Sequence, residues 1–569
     1  MLFLHIFATN EQYKQGMIAE NFIKLYEQSF KDNWELPALT DYTEKKTLTY
    51  GDLSKEIAFI HSILAKYNIK KGDKISLVGK NNSHWCAVYL ASITYGAVIV
   101  PILQDFHIDN IVHIVNHSES VLLFTNEHIW ENIEDVQVSN VLAVYSLSNL
   151  QCLSQQKNES PARTDQEMKE NFGKQYPNGF RKEYIEFAAV DNAEVVILNY
   201  TSGTTGFSKA VMLTANNIMG NITYVRNLNL LFKGERMLAF LPLAHAYGCA
   251  FDFLYSLSIG AHVTLLGKIP SPKILLLALA DVKPKLIICV PLVIEKIYKK
   301  QILPQLSKRT TKLALSVPFL EHKIYSKIRQ KLIEALGGNF REVIIGGAAL
   351  NKEVEAFLHK IKFPFTIGYG MTECGPLISY DHHTDFVPGS CGQILKGVMD
   401  VRIDSEDPHK VLGEIQVKGE NVMKGYYKNE EATKAAFTED GWLKTGDLGT
   451  IDKNKRIYIR GRSKSMILGP SGQNIFPEEI ESRINNLPYI KESIVVERNG
   501  KLIALVYPDF EAMDATGVSH KELSSIMSEN KISLNEQLAN YENISAIQIY
   551  PNEFEKTPKK SIKRYLYEM

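Results

Sequence analysis

The sequence predicts an α/β protein: a large N-terminal domain of helix-covered, mostly parallel sheets, followed by a small C-terminal α+β domain. Three observations predict it. Strand-like and helix-like segments alternate through the first 450 residues, the pattern of βαβ units. After about Arg462 the elements shorten and the alternation stops. The chain's 569 residues also exceed what one hydrophobic core organises. The boundary falls at 463/464, giving domains 1–463 and 464–569, and no internal repeat is found.

Each element has its own signal. Ile57, Ile60, Ile63, Leu64 and Tyr67 share one face of a helix over Ser54 to Tyr67. Lys74 to Gly79 reads as a strand, Ser83 to Gly96 as a helix and Val98 to Ile102 as a second strand. The polar stretch Ser148 to Gly179 reads as a long surface excursion. Beyond Arg462, Pro477-Glu478-Glu479 opens a helix, strands follow at Ser493–Glu497 and Leu502–Tyr507, and helices lie near 519–541.

The start, Met1 to Ala8, is apolar but too short to span a bilayer and lacks a basic n-region. Met17, opening a helix over Ile18 to Phe30, is a candidate start. No later run is apolar enough to cross a membrane. A cytoplasmic protein is expected, with peripheral attachment as the one membrane contact left open. Lys+Arg and Asp+Glu both number 64, so no global field draws nucleic acid, and none is expected as a partner. Six widely spaced cysteines with no CxxC pair suggest neither zinc nor disulfides. Cys86, Cys249 and Cys289, in apolar surroundings, read as small buried hydrophobes.

The most informative segment is Tyr200 to Lys209. Val195 to Leu198 leads in as a buried strand, Ala210 to Thr214 leads out as another, and Thr214 caps the helix that follows. Between them Gly203 and Gly206 let the backbone approach an anion. Thr201, Ser202, Thr204 and Thr205 add hydroxyls, and Lys209 adds a charge. The inventory suits a polyphosphate. It is not a Walker A loop, because the lysine comes three residues after the second glycine and feeds a strand.

Thr201 to Lys209 resembles the signature loop of the adenylate-forming superfamily, which includes acyl-CoA synthetases, luciferases and peptide-synthetase adenylation domains. Further segments match in order from about residue 45 to the end. Gly346 to Leu350 resembles the strip against which adenine lies, which implies contacts from Gly347, Ala348 and Ala349. Tyr369-Gly370-Met371-Thr372-Glu373 resembles the motif whose aromatic stacks on adenine. There the resemblance implies that Thr372 contacts the α-phosphate and Glu373 holds Mg²⁺, for which one carboxylate plus phosphate oxygens suffice. Gly441 to Asp447 resembles the ribose segment, with Asp447 accepting from the hydroxyls and Arg462 a second ribose or phosphate contact. Lys464 falls at the family's hinge, which makes the small domain mobile, and Gly472 in Ser471 to Glu481 matches the glycine that lets the pantetheine arm of CoA pass. His245, in Leu241 to Gly248, matches a segment beside the acyl pocket; a gate and a neutral structural histidine both stay open.

Two departures stand out. In the loop, Phe207-Ser208 replaces the common x-Pro and Ala210 a glycine, changes that remove no donor. In the tail, the family's catalytic lysine falls at Ser561, anchored on Lys556-Thr557. Lys560 or Lys563 is close enough to substitute, and Lys560 is taken as the candidate. Asp381-His382-His383 is set aside as a metal site, since adjacent residues diverge in direction and no third ligand is evident. Glu478, Glu479 and Glu481 suit a helix N-terminus.

Val290 to Tyr298 resembles the Val-Pro-x-x-x-Glu-Lys segment of long-chain fatty acyl-CoA synthetases. The resemblance therefore implies an ATP- and Mg²⁺-dependent ligase joining a medium-to-long fatty acid to CoA through an acyl-adenylate. The alternatives are a ligase that loads an acyl carrier protein and a nucleotide- or acyl-binding protein without catalysis. No insert is visible between Asp447 and Pro477, which favours CoA over the carrier protein.

Overall fold

The computed structural model describes residues 18–133, 137–156, 160–201, 209–267, 271–468, 473–557 and 561–568, apart from the side chain of Lys312. These residues form two compact units. One takes in the chain up to Thr201, Lys209–Asp400 and Val417–Leu443; the other takes in Val401–Gln416 and the chain from Lys444 onward. The readings of Met1 to Met17 fall outside the described residues.

The first unit is built as the alternation predicts. After a first helix over Phe22–Asp32, Thr49 and Asp52 form a reciprocal capping box, so the next helix opens at Tyr50, four residues earlier than its apolar stripe suggests, and runs to Lys66. Its Ile57, Ile60, Ile63 and Leu64 are buried, and each such aliphatic stabilises the fold by about 1.5–3 kcal/mol. Lys74–Val78 follows as a strand and Ser83–Tyr95 as a helix ending on Gly96, whose φ of +92° is the left-handed cap. Val98–Ile102 then pairs parallel with Lys74–Val78.

These strands belong to an eight-stranded sheet in the order Gly425–Tyr426, Lys209–Thr214, Val195–Thr201, Val98–Ile102, Lys74–Val78, Ser120–Thr125, Ala143–Ser146 and Cys152–Gln155. Its centre is parallel and its ends antiparallel. A second, seven-stranded sheet carries Leu286–Cys289, Glu342–Ile345 and Phe365–Ile367 side by side and parallel. Fully buried runs such as Val98–Ile102 and Leu286–Cys289 are what strands covered on both faces require.

The polar stretch after Ser148 is more ordered than a surface excursion. Cys152–Gln155 closes the sheet edge antiparallel to Ala143–Ser146, and Pro161–Gln175 is a helix that buries Thr164 and Met168. Few apolar residues are needed at an edge, which is why composition hid both elements.

In the second unit, Ile490–Arg498 and Lys501–Pro508 form a hairpin, and Ile544–Ile549 joins it parallel. Alternation divides the sheet into two faces. Val495, Ala504 and Val506 pack with Ile480, Ile484, Leu523 and Met527 of the helices, while Ile494, Val496 and Leu505 pack with Phe554 and Tyr567 of the tail. None of the six cysteines is in a disulfide, and Cys86, Cys249 and Cys289 are buried as read.

Candidate active site

The Gly/Thr-rich loop is the connection of a β-hairpin. Val195–Thr201 and Lys209–Thr214 pair in register as far as Thr201 opposite Lys209, where Thr201 Oγ1 donates to the Lys209 carbonyl at 3.4 Å. The hairpin thus fixes the two residues that bracket the loop. Ser202, Gly203, Thr204, Thr205 and Gly206 lie outside the described residues.

Lys209 Nζ stands 4.7 Å from the centre of the Tyr426 ring, and the Tyr426 hydroxyl donates to Glu373 Oε1 at 3.0 Å. One tyrosine therefore joins the cation of the hairpin to the carboxylate of the Tyr369–Glu373 segment. Burial, and then the charge of Glu373, push the Tyr426 hydroxyl well above its usual pKa, so it stays a donor at physiological pH. Backbone contacts repeat the link: Met423 N donates to the Glu373 carbonyl at 2.8 Å, and Gly425–Tyr426 pairs with Val211 and Met212. Sequence reasoning missed Tyr426. Its trace is a lone Gly-Tyr pair that reads as an ordinary strand end.

Tyr369 is buried and paired with Ser379; Thr372 is buried in a 3₁₀ turn, Thr372–Cys374, while Glu373 remains half-buried. At Gly370 a Cβ would lie 2.2 Å from the Pro376 carbonyl oxygen, so no side chain fits. Asparagines hold the turn in place. Asn221 donates to the Cys374 carbonyl at 3.0 Å and accepts from Leu377 N at 2.9 Å. Asn421 donates to the carbonyls of Cys374 and Leu377 at 3.0 and 2.6 Å. Asn217 reaches the carbonyls of Glu420 and Val422 at 2.8 and 2.7 Å. Asn217 and Asn221 lie on the helix Ala215–Asn227, which Thr214 caps directly after the hairpin, as expected. These amides were not legible as site residues, since each reads as helix or turn chemistry.

Gly347, Ala348 and Ala349 form an exposed strip at the end of the buried strand Glu342–Ile345, with Gly347 at φ +84°. Beside it, a Cβ on Gly346 would meet Tyr247 Oη at 3.1 Å, and that hydroxyl donates to the Ile344 carbonyl at 3.2 Å. Tyr247 lies two residues after His245, whose Nδ1 accepts from Tyr247 N at 3.3 Å. His245 is therefore a half-buried cap on the short helix that packs against the strip. From the Val290 to Tyr298 segment, the Glu295 carboxylate accepts from Asn351 N at 2.9 Å, and burial raises its pKa.

In the second unit, the strands Leu443–Ile451 and Ile457–Arg462 place Asp447 opposite Arg462. Arg462 Nε meets Asp447 Oδ1 at 2.9 Å, with the carboxylate buried and the guanidinium exposed. Lys464 follows, exposed. Gly472 and Lys560 lie outside the described residues. Around the latter, Thr557 N donates to the Ser561 carbonyl at 2.8 Å. Of the neighbouring lysines, Lys556 pairs with Glu492 and Glu553, each at 2.6 Å, and Lys563 with Glu555 at 3.3 Å.

The Asp381-His382-His383 run needs a correction. A third ligand-type group is present: the buried Glu342 carboxylate, whose Oε2 accepts from His383 N at 3.1 Å and lies 3.1 Å from His383 Nδ1 and 3.7 Å from His382 Nε2. It comes from another strand some 40 residues upstream, a separation that linear spacing does not reveal. Tyr380 donates to its other oxygen, so the carboxylate is satisfied within the fold.

Comparison with known proteins places the chain in a family. Residues 26–427 match the family described as AMP-binding enzyme. Long-chain-fatty-acid–CoA ligase FadD15 of Mycobacterium bovis is 30% identical over 492 residues, covering 82% of this chain and 78% of the relative. Long-chain-fatty-acid–[acyl-carrier-protein] ligase AEE15, chloroplastic, of Arabidopsis thaliana is 26% identical, covering 82% and 72%. Among solved structures, ATP-bound MatB from Rhodopseudomonas palustris superposes with a TM-score of 0.74 at 21% identity, covering 96% of this chain and 98% of that one, a likeness of fold. With Lys209, the glycine strip and the Tyr369–Glu373 turn in one unit, and with the family match over residues 26–427, the chain belongs to the AMP-binding, adenylate-forming enzyme family.

Proposed function

We propose that the protein activates a medium-to-long-chain fatty acid as its acyl-adenylate and transfers the acyl group to CoA. The observation that carries the reading is the Lys209–Tyr426–Glu373 constellation at the base of the hydroxyl-rich hairpin loop. The 30% identity to a long-chain-fatty-acid–CoA ligase supports the choice of acid and thiol. In the first step a carboxylate oxygen attacks the α-phosphorus of ATP, and the bond to pyrophosphate breaks. The obstacle is charge: an anion approaches a polyphosphate. Lys209, the hydroxyls of Thr201, Ser202, Thr204 and Thr205, and Thr372 oppose it as fixed donors, with Gly203 and Gly206 allowing backbone approach.

Glu373 suits a magnesium ion: it is a single half-buried carboxylate, oriented by a neutral hydroxyl on one oxygen and, among the described residues, without a hydrogen bond on the other. Mg²⁺ bound there would offset phosphate charge. Adenine is assigned to the strip Gly347–Ala349 and to Tyr369 with Gly370, and ribose to Asp447 with Arg462 as its orienting partner. In the second step the CoA thiolate attacks the acyl carbon and AMP leaves. Lys464 is assigned as the hinge between the steps, Gly472 as the pantetheine passage and His245 as a wall of the acyl pocket. Lys560 is assigned as the cation that replaces the one expected at Ser561; Lys556 and Lys563 are already engaged with carboxylates.

The test is AMP release from ATP and Mg²⁺ with fatty, short and aryl acids, each with and without CoA. CoA-dependent AMP formation that peaks on long fatty acids is expected. ATP binding without AMP or acyl-adenylate from any acid would overturn the reading. A carrier protein is the second acceptor to assay, because the AEE15 relative is named for that transfer. A Lys560→Ala enzyme with full adenylation rate would remove Lys560 from the site.

A further inference from the structure

The helical segment after Tyr298 leaves several of its large apolar residues uncovered. Pro318–Ala335 is an 18-residue helix whose one buried residue is Leu332, and Leu303–Leu306 before it buries none. Around the turn into the long helix, Leu313 is 74% exposed, Val317 47%, Phe319 66% and Leu320 41%. Four large apolar side chains within eight residues form a patch of the kind that marks an interaction surface.

The charge around this patch is one-sided. Between Lys299 and Lys331 the sequence holds nine Lys or Arg against one acid, Glu321, although the whole chain is neutral. Lys308, Arg309, Lys323, Lys327 and Lys331 are exposed, and Lys323 Nζ lies 4.4 Å from the centre of the Phe319 ring, which places cation and apolar group on the same face. Exposed Phe and Leu ringed by Lys and Arg is the composition of a segment that lies in a lipid interface: apolar tips enter the acyl boundary while the cations meet anionic headgroups. No helix of the described residues is long and apolar enough to cross a bilayer.

We infer that the Leu303–Lys331 segment docks the enzyme on an anionic bilayer surface. An acidic protein would satisfy the cations but leaves four protruding apolar side chains to be matched one by one, whereas a bilayer takes them without shape complementarity. The purpose rests on the fatty-acid reading above, since such an acid partitions into lipid. The surface itself rests on exposure and charge alone.

Full-length protein is sedimented with vesicles of phosphatidylcholine alone or mixed with phosphatidylglycerol, at low and high salt. Binding is expected with the anionic vesicles and lost by about tenfold or more at 0.5 M salt, as screening requires. A Leu313→Ser/Phe319→Ser variant and a Lys308→Glu/Arg309→Glu variant each lose about tenfold or more of that binding while AMP formation on a soluble medium-chain acid is unchanged. A Phe319→Trp variant reports entry directly, through a blue-shifted emission on anionic vesicles. No binding by the parent protein, or equal binding by parent and both variants, overturns the inference. So does a dimer or an acidic-protein complex lost in the same variants without any vesicle binding. Vesicle binding by a protein that forms no AMP would sink the proposed function and leave this surface standing.

Discussion

Tyr426 does for the site what no motif residue does alone: its ring faces the Lys209 cation while its hydroxyl holds Glu373. Phenylalanine keeps the ring and removes the hydroxyl. Tyr426→Phe is therefore expected to stay folded and to form adenylate about 10–100-fold more slowly, the range for losing a partner that orients a metal ligand. The loss should appear as weaker apparent Mg²⁺ affinity more than as a higher KM for the acid; a rate within twofold of the parent would exclude Tyr426 from the site. Lys209 was legible as a candidate from the run of glycines and hydroxyls before it, and Glu373 only through the resemblance of Tyr369 to Glu373 to a family motif. Tyr426 was not, because its role comes from a strand pairing more than 200 residues away in the chain. A second single-residue prediction concerns pH. His61 Nε2 meets the Ala91 carbonyl at 3.1 Å and Thr94 Oγ1 at 3.0 Å, and burial pushes its pKa down to about 4. An unfolded histidine protonates near pH ~6.5, so between there and about pH 4 the unfolded chain binds more protons than the folded one. Stability therefore falls as pH drops through that window. Denaturant midpoints from pH 7 to 4.5 should show the fall, and His61→Gln should flatten it.

At the scale of elements, the turn that carries Thr372 and Glu373 is held chiefly by side-chain amides. Asn221→Ala leaves Leu377 N without its acceptor and removes a donor from the Cys374 carbonyl, which Asn421 still serves. The cost is expected at about 1–3 kcal/mol, with ATP binding weakened more than acid binding; isothermal titration with ATP checks it. Gly370→Ala acts on the same turn through sterics and should abolish adenylate formation, because its Cβ would fall on the Pro376 oxygen. The helices and strands themselves were readable from periodicity, as at Ile57–Leu64 and Val98–Ile102. Their ends were readable only where a cap was recognised: Thr214 was, whereas the Thr49–Asp52 box moved a helix start by one turn. The edge strand Cys152–Gln155 escaped notice because an edge needs little apolar surface.

On the scale of the molecule, each compact unit has its own core, so thermal unfolding should show more than one calorimetric transition. Arg564 offers a way to move one alone. It pairs with the buried carboxylate of Glu481 and lies 3.8 Å from Glu478. Arg564→Ala strands that carboxylate and should destabilise the second unit by roughly 3 kcal/mol, lowering one transition and leaving the other in place. The two-part architecture was legible from the change in element length after Arg462. The share of Val401–Gln416 in the second unit was not, because contacts assign it there across a gap in sequence.

The eight-stranded sheet also has a history in time. Lys209–Thr214 is covered on its outer side by Gly425–Tyr426, which the ribosome delivers 211 residues after Thr214. At translation speeds of about 5–20 residues per second, the newborn strand waits roughly 10–40 s with its backbone edge at Ala210, Val211 and Met212 bare. For that interval the nascent chain offers chaperones, or a neighbouring nascent chain, an unpaired edge of the kind that templates misassembly. Codon choice between residues 214 and 425 would set how long the exposure lasts.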